Sequence, residues 1–190
     1  MVARSDRKSC IASDKTTFNL VPCDGGFEAE FVDFLDTCRD VAAFEKNAGP
    51  QKLMIDYLAP NGRPAIFWPD FLIRLKNNRH VLAELKGIED STSAVKAKAA
   101  IEWCKAASAS GAKWDYMYVT APTFEANHDF TVEALSRGAG RRLLALVDTF
   151  TSKQIPLPFD EKPEVSRKEK ADKYLSEIDV TWLPEGLRRH

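Results

Sequence analysis

The 190-residue chain predicts an α/β domain built on a mixed central sheet flanked by helices. Three observations carry that expectation. Strand-length apolar runs and helical stripes follow one another as helix, three strands, helix, strand, helix, the alternation expected where helices cover a sheet. At 44% hydrophobic and 29% charged, the composition can supply a core of that size. Beyond Thr151 the composition changes, which places the core within residues 24–150.

Residues 1–23 read as a polar N-terminal extension, with room for one short strand in "TTFNLV". From Phe27 a helical stripe begins (Phe27, Phe31, Phe34/Leu35, Cys38, Val41/Ala42), capped near Asp24-Gly25-Gly26 and stopped by "NAGPQ". "KLMIDYLA" follows as a strand, and "PNGRP" at 60–64 is a turn. "AIFWPDFLIRL" and "HVLAELKG" then form a hairpin around "KNNR". The Ala-rich run after Gly87 is a helix opened by Asp, Ser and Thr and ended by Gly111. "WDYMYVTA" is the last strand. Residues 129–150 are helical around "LLALVDTF", with an interruption at "SRGAGRR". Residues 151–190 form a charged, proline-containing extension in which "RKEKADKYLSEIDVTWL" can make a partner-docking amphipathic helix.

A net charge of −1 gives no overall electrostatic attraction to nucleic acid, so any such binding needs a local basic patch. Cys10, Cys23, Cys38 and Cys104 include no CxxC pair, which favours reduced thiols over disulfides or zinc. No apolar run reaches the ~20 residues of a membrane span. "MVARSDRKSC" lacks an apolar signal core, so a cytoplasmic protein is expected, with no membrane partner.

The hairpin carries the chemistry. Side chains alternate across a strand, so Glu84 and Lys86 share a face, as Asp70 does with Trp68 and Leu72. A three-residue turn at 77–79 pairs Phe71 with Leu85, Ile73 with Ala83 and Leu75 with Val81, which leaves one face wholly apolar. The same register sets Asp70 opposite Lys86, with Glu84 one diagonal step away. Such a cluster is either a structural ion pair or a centre for a hard divalent cation, because neighbouring carboxylates oppose each other's ionisation unless a cation lies between them.

Pro69-Asp70 followed by Glu84-Leu85-Lys86 resembles the PD-(D/E)XK nuclease motif. With the flanks "DGGFEAEF", "KAKAAIEWC" and "KWDYMYV", residues 24–120 are similar to the C-terminal endonuclease domain of type III restriction enzyme Res subunits. The resemblance implies a restriction-endonuclease-like fold and a Mg²⁺-dependent DNA endonuclease, with Mn²⁺ substituting, in a restriction or defence system. Asp70, Glu84 and Lys86 are then catalytic, and Asp70, Glu84 and the Leu85 carbonyl hold the metal. Glu28 on the first helix completes that site, with Glu30 as the competitor. Lys96 matches the first lysine of the family's downstream run and is expected to bind the DNA backbone.

Lys98, Arg74 and Lys46-Asn47 are further candidates for a basic rim. Arg137, Arg141 and Arg142 read as a solvated turn. Trp103 and Trp114 read as core, Trp68 as the aromatic beside substrate, and His80 as a solvent-exposed turn residue. Paired active sites imply a homodimer. The chain has no GxxxxGK[ST], so a separate helicase/ATPase or methyltransferase partner would have to supply the motor or the targeting. Two other readings stay open: a nuclease-fold subunit that binds nucleic acid or a partner without cutting, and an unrelated α/β domain with a structural ion pair.

Overall fold

The computed structural model describes residues 9–17, 20–49, 52–127 and 129–152; the expected extension from residue 153 onward lies outside them. The chain divides after Gln154, and every described residue belongs to the first unit.

The central sheet has four strands, in the order β3 (Val41–Lys46), β6 (Phe71–Leu75), β7 (His80–Lys86) and β8 (Trp114–Thr120). β3 and β7 run antiparallel to β6, and β8 runs parallel to β7. The parallel pair is joined by α2 (Ser93–Ser108), as a parallel connection requires. Among the described residues two ribbons complete the β structure: β1 (Ser9–Ala12) with β2 (Leu20–Cys23), and β4 (Ile55–Leu58) with β5 (Pro64–Phe67). The mixed α/β architecture is therefore as expected from the sequence.

Alternation along the strands gives the sheet two apolar faces, each with its own core. Phe71, Ile73, Val81, Ala83, Met117 and Val119 bury against α1 (Gly26–Thr37) and α4 (Val132–Ser152). Leu82, Leu72 and Tyr116 face the other way, against α2 and the β4–β5 ribbon. The rings of Phe31 and Phe71 sit 5.3 Å apart at the centre of the larger core. Trp103 and Trp114 pack edge to face, 5.2 Å apart, around the smaller one, in the core role read from the sequence.

Several boundaries differ from the sequence reading. The first helix ends at Thr37, where Lys15 Nζ donates to the Leu35 and Cys38 carbonyls at 3.1 and 2.7 Å and satisfies the helix C-terminus. Residues 41–46, read as its continuation, form β3, because Val41 and Phe44 are needed to extend the core across the sheet. Of residues 1–23, read as an extension, Val21 and Cys23 are part of that core. Pro69 separates β5 from β6, since it has no N–H to give a ladder. "SRGAGRR" does not interrupt α4, which is continuous from Val132. Its N-terminus is held by Asp40, whose two carboxylate oxygens accept the Val132 and Glu133 N–H groups, each at 3.0 Å. No helix among the described residues is long and apolar enough to cross a membrane.

Candidate functional site

The β6–β7 hairpin closes through Lys76-Asn77-Asn78, not through 77–79. Leu75 N–H donates to the Arg79 carbonyl at 2.8 Å, and Asn78 takes the left-handed conformation at φ 62°. Asparagine tolerates that region better than most residues, which makes it suited to the third position of such a turn. The register that follows pairs Phe71 with Ala83 and Ile73 with Val81. The ladder ends at that Phe71–Ala83 pair, so Asp70, one residue before it, does not pair with Lys86 as expected; its N–H reaches the Ala83 carbonyl instead, and its carboxylate lies close enough to Glu84 to raise its pKa. The apolar face survives because the slip is two residues, a full period of the pleat.

Asp70 begins the hairpin just before β6. Its N–H donates to the Ala83 carbonyl at 3.0 Å, and its Oδ2 accepts the Leu85 N–H at 2.7 Å. A strand residue points both its backbone polar groups to the same edge, so the Leu85 carbonyl also faces the Asp70 side. Burial raises the Asp70 carboxyl to about 6, against the Leu85 hydrogen bond that lowers it; Glu28 adds to the rise, and Lys46 and Lys86 oppose it. Glu84 is pushed further, to about 8, first by burial and then by Asp70, with Lys86 and Lys96 pulling the other way. Its Oε2 is buried and takes no hydrogen bond from any described residue.

Lys86 lies two residues along the same face, its side chain 19% exposed. Its Nζ donates to Asp90 Oδ2 at 2.7 Å, an i,i+4 pair that leaves two of the three ammonium protons for other acceptors. Asp90 is held well below the usual carboxylate range by Lys86 first, then by Thr92. Asp90 Oδ1 accepts the Thr92 N–H at 2.7 Å, so one side chain fixes both the lysine and the entry to α2. The sequence reading saw Asp90 only as a capping residue; its i,i+4 spacing from Lys86 was the signal for the second role.

Lys96, on α2, is near enough to lower Glu84 and sits 5.9 Å from the Tyr57 ring centroid. Lys98 is exposed on the outer side of α2 and is not part of this cluster. Arg74 is exposed on β6, four residues from Asp70 and so roughly 13 Å along the strand. Trp68 is 44% exposed, with Lys52 Nζ 4.1 Å from its ring centroid. It precedes Asp70 by two residues, in the segment between β5 and β6.

Two expected roles are corrected. Lys46 is not on a basic rim: its side chain is 9% exposed, and its Nζ donates to Asp24 Oδ2 at 2.9 Å and to Glu28 Oε2. His80 is not a solvent-exposed turn residue: it is half-buried on β7, stacked 4.7 Å from Trp114. Arg137, Arg141 and Arg142 are all exposed, and Arg142 also donates to Glu89 Oε1 at 3.0 Å. Glu28 does approach the site, as its effect on Asp70 shows, whereas Glu30 is exposed on α1.

Asn47 is the positioning residue the sequence left least visible. Its N–H donates to the Asp70 carbonyl at 2.7 Å, and its Nδ2 donates to the Pro69 and Leu53 carbonyls at 2.8 and 2.9 Å. Oδ1 takes the Leu53 N–H. The side chain thus ties β3 to the "PD" segment and to the approach to β4.

Among the described residues, no three His, Cys, Asp or Glu side chains converge as a ready-made metal cage. The arrangement is two neighbouring half-buried carboxylates with a lysine beside them. No family model, curated protein or solved structure matches the chain.

Proposed function

We propose that the chain is a divalent-metal-dependent DNA endonuclease, with Asp70, Glu84 and Lys86 as its centre. One observation carries the reading. Glu84 presents a buried carboxylate oxygen with no donor among the described residues, close to the half-buried Asp70 carboxylate. A neutral structural cluster would satisfy that oxygen, whereas a centre for a hard cation leaves it open.

The residues fit Mg²⁺ without a three-carboxylate cage. That ion is usually held by one or two carboxylates, and waters and substrate phosphate oxygens fill the rest of its shell. Asp70 and Glu84 would hold it, with the Leu85 carbonyl on the same side. When bound, such an ion supplies a Lewis acid for a phosphoryl oxygen and a water acidic enough to lose a proton near neutral pH.

The chain's own groups do the remaining work. The Leu85 N–H fixes Asp70 in one rotamer, so the carboxylate is oriented before substrate arrives. Lys86, tethered by Asp90, directs its two other N–H donors to the attacking water and to the charge that develops on the phosphorus oxygens. As the water oxygen bonds to phosphorus, it gives up a proton to bulk water, the opposite P–O bond breaks, and the leaving oxygen takes up a proton from bulk water. Lys96, close enough to Glu84 to lower its pKa, suits a phosphate of the strand, and the exposed Trp68 ring with Lys52 over it suits a base face. A restriction or defence setting rests on the motif resemblance alone.

The test is cleavage of supercoiled plasmid by the purified full chain with Mg²⁺ or Mn²⁺, against EDTA and Lys86→Ala. Metal-dependent nicking lost in Lys86→Ala supports the proposal. No nicking, with DNA retarded in a gel shift, overturns it in favour of a nuclease-fold binding subunit.

A further inference from the structure

Lys46 places a charge inside the fold next to the candidate centre. Its backbone pairs with Phe71, the residue after Asp70, and the following N–H, of Asn47, donates to the Asp70 carbonyl. Its ammonium is held by Asp24 and Glu28, and Glu28 Oε2 also takes the Asp24 N–H at 2.7 Å. Burial pulls the Lys46 pKa down, but the hydrogen bonds to Glu28 and Asp24 outweigh it, so the ammonium stays charged. Glu28 and Lys46 act on Asp70 with opposite signs.

We propose that the Lys46 ammonium is a resident cation that occupies Glu28 and takes the place of a second divalent ion, so that the centre binds one. The inference rests on the metal reading of Asp70 and Glu84. Glu28 Oε2 already accepts two donors, one of them charged. A second divalent ion at that oxygen would have to displace the ammonium from one of its two carboxylate partners and then sit beside its like charge, which is unfavourable. Glu28 is therefore a counter-ion of Lys46, not a metal ligand.

The test is titration of the full chain with Mn²⁺ in the absence of DNA, following free Mn²⁺ by electron paramagnetic resonance. Wild type is expected to bind one ion, and Asp70→Asn to lose it, which locates the ion. Lys46→Met, which keeps the side-chain length and removes the charge, is expected to bind two, and Lys46→Met with Glu28→Gln one. Glu28→Gln alone leaves the affinity within about threefold, whereas loss of a ligand or of its support costs about 10–100-fold. The Glu28→Gln arm stands even where Lys46→Met does not fold, because Lys46 retains Asp24. Two ions on the wild type, one on a folded Lys46→Met, or a tenfold loss in Glu28→Gln overturns the inference and leaves the metal centre intact. No bound Mn²⁺ on the wild type overturns the metal reading itself.

Discussion

Asp70 accepts the Leu85 N–H at 2.7 Å, while Glu84, on the partner strand, accepts nothing at Oε2 from any described residue. That asymmetry separates two carboxylates in otherwise similar surroundings. Asp70 is the readier of the two to ionise, and Glu84 keeps its proton through neutral pH in the metal-free chain.

Stability should therefore fall as pH rises. Unfolded Asp and Glu lose their protons near pH 4, whereas in the fold these two keep them to about 6 and about 8. Between those limits the folded state holds more protons than the unfolded one, so stability declines through the window and levels off above pH 8. Asp90 titrates below the window and does not obscure it. In EDTA, the melting temperature at pH 5.5 should exceed that at pH 8.5 by several degrees, a loss on the order of 3 kcal/mol. Glu84→Gln should remove most of the slope, and Mn²⁺ at pH 8.5 should restore stability to the wild type only. A flat wild-type profile would count against the buried dyad.

Asp90 has two duties that substitution can separate. Asp90→Asn keeps an acceptor for the Thr92 N–H but loses the charge on Lys86; at a side chain 46% exposed, it should cost under about 1 kcal/mol. Asp90→Ala also loses the turn before α2, at about 1–2 kcal/mol. Both free Lys86, so both should slow metal-dependent cleavage by about 10–100-fold. Urea melts beside plasmid assays separate the two effects, and an Asn variant with full activity would show that the tether is idle.

Asn47→Ala removes three side-chain hydrogen bonds around Pro69 and Leu53 and should destabilise the fold by about 2–3 kcal/mol. The loss should also loosen Asp70. Hydrogen exchange at the Leu85 amide reads this directly: faster exchange than global unfolding explains is expected, and unchanged protection would contradict it.

Asp40 caps a helix that starts 92 residues further along the chain. Asp40→Ala should cost about 1–2 kcal/mol and expose the first turn of α4 to exchange; Asp40→Asn should cost less, since an acceptor remains. Equal costs for the two would assign the effect to charge instead of capping.

Much of this was legible in the residues. The two-faced hairpin, the Ala-rich crossover helix and the position of Asp70 and Glu84 on one face follow from alternation alone. The turn was misplaced by one residue because apolar matching is equally good in both registers. Asn78, placed where a positive φ is needed, was the discriminating signal. Helix-favouring Ala, Glu and Lys in "VAAFEK" masked a strand that exists because a sheet edge needs it. Lys46 was read as surface because a lone lysine in sequence says nothing about the two carboxylates folded over it.

The hairpin is also the most local long element of the fold: Asp70 and Leu85 are fifteen residues apart, closed by a three-residue turn. Hairpins form within about 1–10 μs, while the parallel β7–β8 pairing must wait for the whole α2 crossover to be ordered. The two carboxylates are therefore expected to meet early, in water and ionised. Only when β8 and α2 dock is the water stripped away, and at that moment the chain must take up protons or a cation. Proton uptake in metal-free refolding is thus a clock for the last assembly step.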